Sequence, residues 1–358
     1  MGGDLKEFGE GRVVIVLACI VVVIAGMREA ASIIVPFLLS VFIAIMCSGM
    51  FSWMRKRRVP AFLAISLIIA LIFGAIFGLG AYIGASVNDF IQQLPLYEKR
   101  LHDLTIMVIK WLRGFHVYIS EKMILRYLNP GSAMEIIANL LSGLGSALTY
   151  ALLIFFTVVF ILIEAPSFSK KVAAGGKSGT GLETMERIVE SIEKYLALKT
   201  WISLATGMVV TVWLTILGVN YAVLWGVVAF LFNYIPNIGP FIAAIPPVLL
   251  ALVDAGPGSA TLVTVGYIVI KTVMGDILEP VFMGRGLSLS MLVVFLSLVF
   301  WGWVLGPVGM LLSVPLTMII KITCESFPST RWIAILLDSE APGPVGQTPE
   351  TEGTEGPG

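Results

Sequence analysis

The sequence predicts an all-α, polytopic transmembrane protein with about eight membrane segments, two of them helices or hairpins broken at Gly-Pro. Three observations carry this. Hydrophobic residues make up 58% of the chain against 13% charged, with a mean hydropathy of +0.96, a balance that aggregates in water. Uncharged runs cover 30–54, 59–88, 136–163, 200–253, 255–270 and 286–320. About 20 helical residues cross a hydrocarbon core ~30 Å thick, so the longer runs each suffice for a crossing and the 200–253 run for more than two. These runs are apolar throughout rather than alternating, which selects helices over a barrel.

Charge and cysteine content exclude other classes. Lys+Arg and Asp+Glu are equal at 23 each, so the chain has no basic surplus for phosphate backbones and no nucleic-acid partner is expected. Cys19, Cys47 and Cys324 have neither CxxC nor metal-ligand spacing, so neither a metal site nor a cofactor is expected.

Taken in order, the first apolar segment, 13–26, follows Lys6 and Arg12 and ends near Ala30 and Ala31, which also fits a signal-peptide core. The second apolar run follows at once, and a helical hairpin explains both. Arg55, Lys56, Arg57 and Arg58 place the next loop in the cytoplasm by the short-loop bias of basic residues. Counting crossings from there puts the N-terminus in the cytoplasm and 89–135 outside. Lys170, Lys171 and Lys177 then bring the chain back in, and both termini are expected in the cytoplasm of a prokaryotic cell (inner) membrane protein. The expected divisions are N-terminal spans at 1–88, an extracytoplasmic amphipathic segment at 89–135 and a span at 136–165. A cytoplasmic amphipathic helix at 166–199, a broken-helix core at 200–325 and a disordered tail at 326–358 complete them.

Two of these segments carry helical periodicity. Leu94, Tyr97, Leu101, Leu104, Val108, Trp111 and Phe115 recur at alternating steps of three and four, a heptad seam whose first turn accommodates Pro95. Such a stripe packs on its own membrane domain, lies in the headgroups, or joins subunits of a homo-oligomer. Thr180 and Glu183 are spaced as a capping box ahead of Leu182, Met185, Val189, Ile192 and Leu196, which predicts a second amphipathic helix.

The chemistry concentrates in the last third. NYIPNIGPFIAAIPP at 233–247 places Asn233, Pro236, Asn237, Gly239 and Pro240 ahead of Pro246 and Pro247, and prolines in an apolar run break its helix. Broken backbone in lipid is tolerated inside protein or beside a water-filled cavity, the arrangement by which transporters expose half-helix ends to solute. A tight turn between two ordinary spans is the other reading. WGWVLGPVGMLLSVP at 301–315 repeats the device at Gly306-Pro307, and two interrupted segments point to a solute path at a repeat interface. Asp276 and Glu279, followed by Pro280 and Arg285, are three residues apart and share one face of an α-helix. At cavity depth they would titrate as a coupled unit able to exchange a proton or sodium ion. At the membrane surface they would instead bond Lys271 or Arg285, or cap a helix. An intramembrane enzyme is disfavoured, since His102 and His116 fall in 89–135 and HExxH and GxSxG are absent.

With these residues in view, the chain resembles the autoinducer-2 exporter family of prokaryotic membrane transporters. The resemblance rests on IIVPFLLSVFIA at 33–44, YLALKTWISLATGMVV at 195–210, VLWGVVAFLFNYIPNIGPFIAAIPP at 223–247, and GDILEPVFMGRGLSLSMLVVFLSLVFWGWVLGPVGMLLSVPL at 275–316. It implies an inner-membrane permease exporting a small hydroxylated signal molecule in quorum sensing, or a sodium/proton antiporter. The expected partners are the lipid bilayer, a small-molecule or ion substrate, and further copies of the chain. Asp276 departs from the asparagine of the commoner family pattern, which bears on ion coupling rather than on fold. A membrane scaffold without transport is the reading from a different class, and flux in sealed vesicles separates the two.

Overall fold

Apolar runs without a breaker fold here as long, uninterrupted helices. The computed structural model describes residues 4–114, 135, 137–139, 141, 150–174, 179–283 and 289–339. In chain order these form α1 (Asp4–Glu29), α2 (Ala31–Lys56), α3 (Ala61–Gly114), α4 (Ala151–Ala174), α5 (Gly179–Ile216), α6 (Ala222–Phe232), α7 (Gly239–Ala255) and α8 (Pro257–Lys271). A π-helical segment (Thr272–Leu278), α9 (Glu279–Met283), α10 (Met291–Leu311), α11 (Ser313–Ser326) and α12 (Arg331–Leu337) follow. Among the described residues five helices are long and apolar enough to cross a membrane, and three shorter apolar ones accompany them. The large apolar side chains between Val14 and Val23 of α1 and at the Phe62 end of α3 are exposed, as a lipid-facing surface requires.

Two amphipathic stretches turn out to be extensions of spans. α3 continues for 54 residues with Pro95 inside it, so the seam continues the third span and does not begin a new helix at Pro95. Leu94, Tyr97, Leu101 and Leu104 pack into the core formed by α6, α7 and α8 of the same chain, which occupies that half of the stripe within the subunit. The side chains of Val108, Trp111 and Phe115, the tail beyond Ser339 and His116 lie outside the described residues. α5 runs for 38 residues through Lys199, joining the capping-box segment to the next span because neither Gly nor Pro interrupts 182–206.

The 200–253 run, long enough for more than two spans, contains one. After α5, helices α6 and α7 fold back as a hairpin whose two ends meet: Asn220 Nδ2 donates to Asp254 Oδ2 at 2.9 Å, and Arg100 at the far reach of α3 pairs with Asp254 at 2.7 Å. An even number of half-crossings brings the chain back to the same face. α10 and α11 form a second hairpin whose ends lie at the opposite end of α5. There Arg187 pairs with Glu325 at 3.1 Å, Thr184 bonds Ser326 at 2.9 Å, and Leu289 bridges to Asp338. The Arg55 end of α2 lies toward that same end of α5, since Ser48 bonds Glu193 while Met46 meets Thr200 further along.

α5 is the axis on which both hairpins are mounted. Its second half, with Val210 and Leu214, packs against Leu224, Trp225 and Leu250 of the first hairpin. Its first half, with Ile192, Tyr195 and Leu196, packs against Trp301, Leu305, Leu312 and Leu316 of the second. A third cluster joins Cys47 of α2, Ile68 of α3 and Val158 of α4. Lipid tails are as apolar as leucine, so close packing of these surfaces, rather than escape from water, holds the helices together.

Candidate functional site

The first hairpin breaks where the sequence places the break, though fewer prolines cause it than expected. The chain leaves helix between Phe232 and Gly239, Asn237 takes the left-handed conformation (φ 59°), and Pro240 occupies the first turn of α7, where its missing N–H costs nothing. Pro246 and Pro247 lie inside α7 without ending it. Gly239 sits directly on the Phe232 carbonyl, into which a Cβ would be driven, so the return of the chain at this point requires glycine. In the second hairpin Gly306 adopts φ 71°, ψ −154° and kinks α10 ahead of Pro307. Pro315 falls in the first turn of α11.

Both tips converge on the middle of α5 from opposite ends. Asn233 is buried and donates to Ser203 Oγ at 2.9 Å. Tyr234 meets Thr200 Oγ1 at 2.7 Å, and because the threonine proton is committed to the Leu196 carbonyl at 2.6 Å, the tyrosine is the donor. About one to two turns back, Tyr195 and Leu196 receive the apolar tip of the second hairpin through Leu305 and Leu312. Pro236 is half-buried in the first tip, while Asn237 and Pro307 are exposed.

Between these contacts lies a group the sequence reading passed over. Lys199 is buried, and its Nζ donates to Glu279 Oε1 at 2.6 Å, with side-chain exposures of 4% and 19%. Lys199 is about 25 Å from the Ile216 end of α5 at 1.5 Å per residue, near the far edge of a hydrocarbon core. Its low exposure, rather than its depth, makes the pair costly, and an ionisable residue inside a transmembrane segment is a candidate for a solute or ion path. The signal was present as a lone lysine inside YLALKTWISLATG, where no soluble face needs a charge.

The two carboxylates, read either as a coupled pair or as surface groups bonding Lys271 or Arg285, are separated, and Asp276 takes the second course. Asp276 is exposed and receives Lys271 Nζ at 2.7 and 2.9 Å, while Glu279 faces Lys199. The expectation that they share a face assumed α-helical pitch. Residues 272–278 are instead π-helical, with bonds closing at i→i+5, so a step of three no longer returns to the same side. Pro280 supplies a cause, since its ring clashes with the carbonyl four residues earlier, that of Asp276, and a widened turn relieves it. Arg285 lies outside the described residues.

Beside the tip, Thr206, Asn233, Pro240, Tyr267, Lys271 and Gly275 line a cleft of about 10 Å³, room for about one water. Tyr267 is buried and its hydroxyl has no partner among the described residues. Lys271 also stands 5.8 Å over the Phe241 ring, linking the π segment to the start of α7. At the hairpin's base, burial and the hydrogen bond to Asp89 push the Tyr221 hydroxyl up from its ordinary range. Among the described residues no cluster of His, Cys, Asp and Glu could hold a metal.

Interrupted helices beside a charge pair are a device by which transporters reach solute within a membrane, and comparison with known proteins points to that class. The AI-2E family transporter model matches residues 17–329. The chain belongs to the AI-2E transporter family. The AI-2 transport protein TqsA of Escherichia coli K12 is 43% identical over 327 residues, covering 91% of this chain and 95% of its own length. A Haemophilus influenzae protein named for transport is 41% identical over 335 residues, covering 91% and 96%. YrrI of Bacillus subtilis, also named for transport, is 26% identical over 317 residues. This AI-2E transporter is therefore a multi-pass permease of the prokaryotic inner membrane and not an enzyme.

Proposed function

We propose that this permease exports autoinducer-2 or a related small hydroxylated solute, by a path that passes between the two hairpin tips. The observation that carries the proposal is the convergence of both tips on residues 195–203 of α5, where hydroxyl, amide and charged groups meet inside an otherwise apolar core. A polyhydroxylated molecule needs such groups to replace its water, and the name of TqsA supports autoinducer-2 as the class. A role in quorum sensing follows from that cargo.

Sidedness completes the reading: the end of α5 that holds Arg187, Glu325 and the Arg55 end of α2 faces the cytoplasm, and both termini with it. The short basic loop at 55–58 supports this. Coupling to a proton or sodium ion belongs to the proposal, supported by the half-buried carboxylate at Glu279. A sodium/proton antiporter is the second reading, favoured by the same residue. Assembly as a homo-oligomer belongs to the proposal, and the mass of the detergent-solubilised particle tests it.

The test of function is flux of autoinducer-2 in sealed proteoliposomes, run beside sodium/proton exchange. Solute flux above empty vesicles is expected, and sodium/proton exchange without solute flux overturns the export reading. In intact cells, an impermeant thiol reagent should label a cysteine at Glu98 and spare one at Lys56. The reverse pattern inverts the sidedness.

A further inference from the structure

We infer that the Lys199 ammonium is a seat occupied in turn by Glu279 and by the solute, so that protonation of Glu279 is what opens the binding site. The inference rests on the permease reading above and specifies how its site is regulated. An ammonium has three N–H donors. Among the described residues Lys199 uses one, to Glu279 at 2.6 Å. At 4% side-chain exposure water does not readily supply the others, and a buried ammonium stripped of its counter-charge is strongly destabilised. The pair therefore separates only when another oxygen acceptor takes the carboxylate's place.

The neighbours of Lys199 supply the rest of such a seat. Thr200 adjoins it and Ser203 lies one turn on, and these two residues hold the hairpin tip through Tyr234 and Asn233. A solute arriving at the tip meets hydroxyl and amide groups beside the ammonium. Glu279 is mounted so that it can leave, directly after a π-helical segment and before Pro280. A π turn lacks the tight pitch of the flanking helix, and a return to α pitch swings the following residue around the axis.

In the proposed step a proton from the aqueous phase binds a Glu279 carboxylate oxygen, the Lys199–Glu279 bond breaks, and Lys199 donates to solute hydroxyls while remaining an ammonium. Loss of the proton on the other side re-forms the pair and expels the solute there, so that proton and solute cross together, one for one. The other ionisable groups around the pair are Tyr195 on α5, Tyr234 on the hairpin tip, the Lys271–Asp276 pair one π turn back, and Glu193, which bonds Ser48 of α2. Each of the carboxylates among these has its own partner, leaving Glu279 as the one that faces Lys199.

The experiment uses the full chain in proteoliposomes, with autoinducer-2 as probe and an internal pH dye. The parent's initial rate should change on the order of tenfold per pH unit along the limb where a single proton titrates. In Glu279→Gln that slope should fall below about twofold and solute-driven proton movement should vanish, whatever the absolute rate. Lys199→Met should weaken autoinducer-2 binding about 10- to 100-fold, the loss of a charge-assisted hydrogen bond. The doubly neutral Lys199→Met/Glu279→Gln chain should unfold at a temperature close to the parent's, showing that the pair is not needed for folding. A full pH slope in Glu279→Gln, or full transport by the charge-swapped Lys199→Glu/Glu279→Lys chain, overturns the inference, since a merely structural bridge tolerates the swap. Should the parent fail to move autoinducer-2, the cargo reading falls by itself. Infrared difference spectra on acidification then decide the present point: a protonated-carboxyl band must appear in the parent and be missing in Glu279→Gln.

Discussion

The two hairpins share a plan and differ in chemistry. Each is a pair of apolar helices with a Gly-Pro step where the chain reverses, and each has a glycine past the reversal lying on a carbonyl before it, Gly239 on Phe232 and, beyond the Gly306 kink of α10, Gly309 on Trp301. The first presents a polar tip to α5, with Asn233 on Ser203, Tyr234 on Thr200 and the Lys199–Glu279 pair beside it. The second presents leucines, and its internal polar contact is Trp301 Nε1 to Thr317 Oγ1 at 3.3 Å. Backbone shape alone therefore does not decide the chemistry of a hairpin tip. The same fold-back serves as a polar contact surface when asparagine and tyrosine occupy its tip, and as an apolar wedge when leucine does.

That contrast is sharpest at the turn glycines. Gly239→Leu drives a Cβ into the Phe232 carbonyl and must displace the polar tip, so transport should fall about 100-fold or more while membrane insertion, measured by protease protection, persists. Gly306→Leu on the second hairpin forces a φ of 71° on a side chain, which costs about 1–3 kcal/mol. Its effect should appear in detergent melting temperature, with transport per folded molecule reduced less than tenfold. Equal transport loss in both variants would erase the distinction between the two tips.

The next largest difference is expected at the polar contacts. Asn233→Leu leaves Ser203 buried without its donor and should cost about 1–3 kcal/mol, read as a roughly tenfold or greater drop in solute affinity. Thr317→Val removes the acceptor of a long bond in the second hairpin and should cost under about 1 kcal/mol of stability, with affinity unchanged. A fall in affinity on Thr317→Val would show that the second tip also handles solute. The smallest effect is expected from Pro240→Ala. Proline in the first turn of α7 removes no ladder bond, so melting temperature and transport should both change little, by an equivalent of about 1 kcal/mol or less. A large loss there would mean that Pro240 contacts the solute directly through the cleft it lines.

The membrane class, the helices and the positions of both breaks were legible in the chain, because a hydrocarbon solvent demands about 20 uncharged residues per crossing and proline and glycine act on the backbone locally. Asn233 could be chosen for the same reason, as an amide in an apolar run. The number of true crossings could not be read. Residues 200–253 are long enough for more than two spans, and only the meeting of Asn220 with Asp254 shows that α6 and α7 return to the face they left. The partner of Glu279 was equally out of reach. Its spacing from Asp276 was read with α-helical pitch, and the π segment that separates them arises from a clash at Pro280, while Lys199 lies 80 positions away in sequence.

What the sequence determined by itself is the solvent the protein lives in, which residues form helix, and where the helices must break, since each of these depends on neighbours within a turn or on composition over a span. What the tertiary structure decided is which breaks are hairpins, which face each hairpin enters from, and which charges find each other. Those depend on contacts between residues far apart in the chain. A lone buried lysine and a lone carboxylate are each costly in apolar surroundings, and only the fold, by bringing Lys199 of α5 against Glu279 of α9, turns the two into one site.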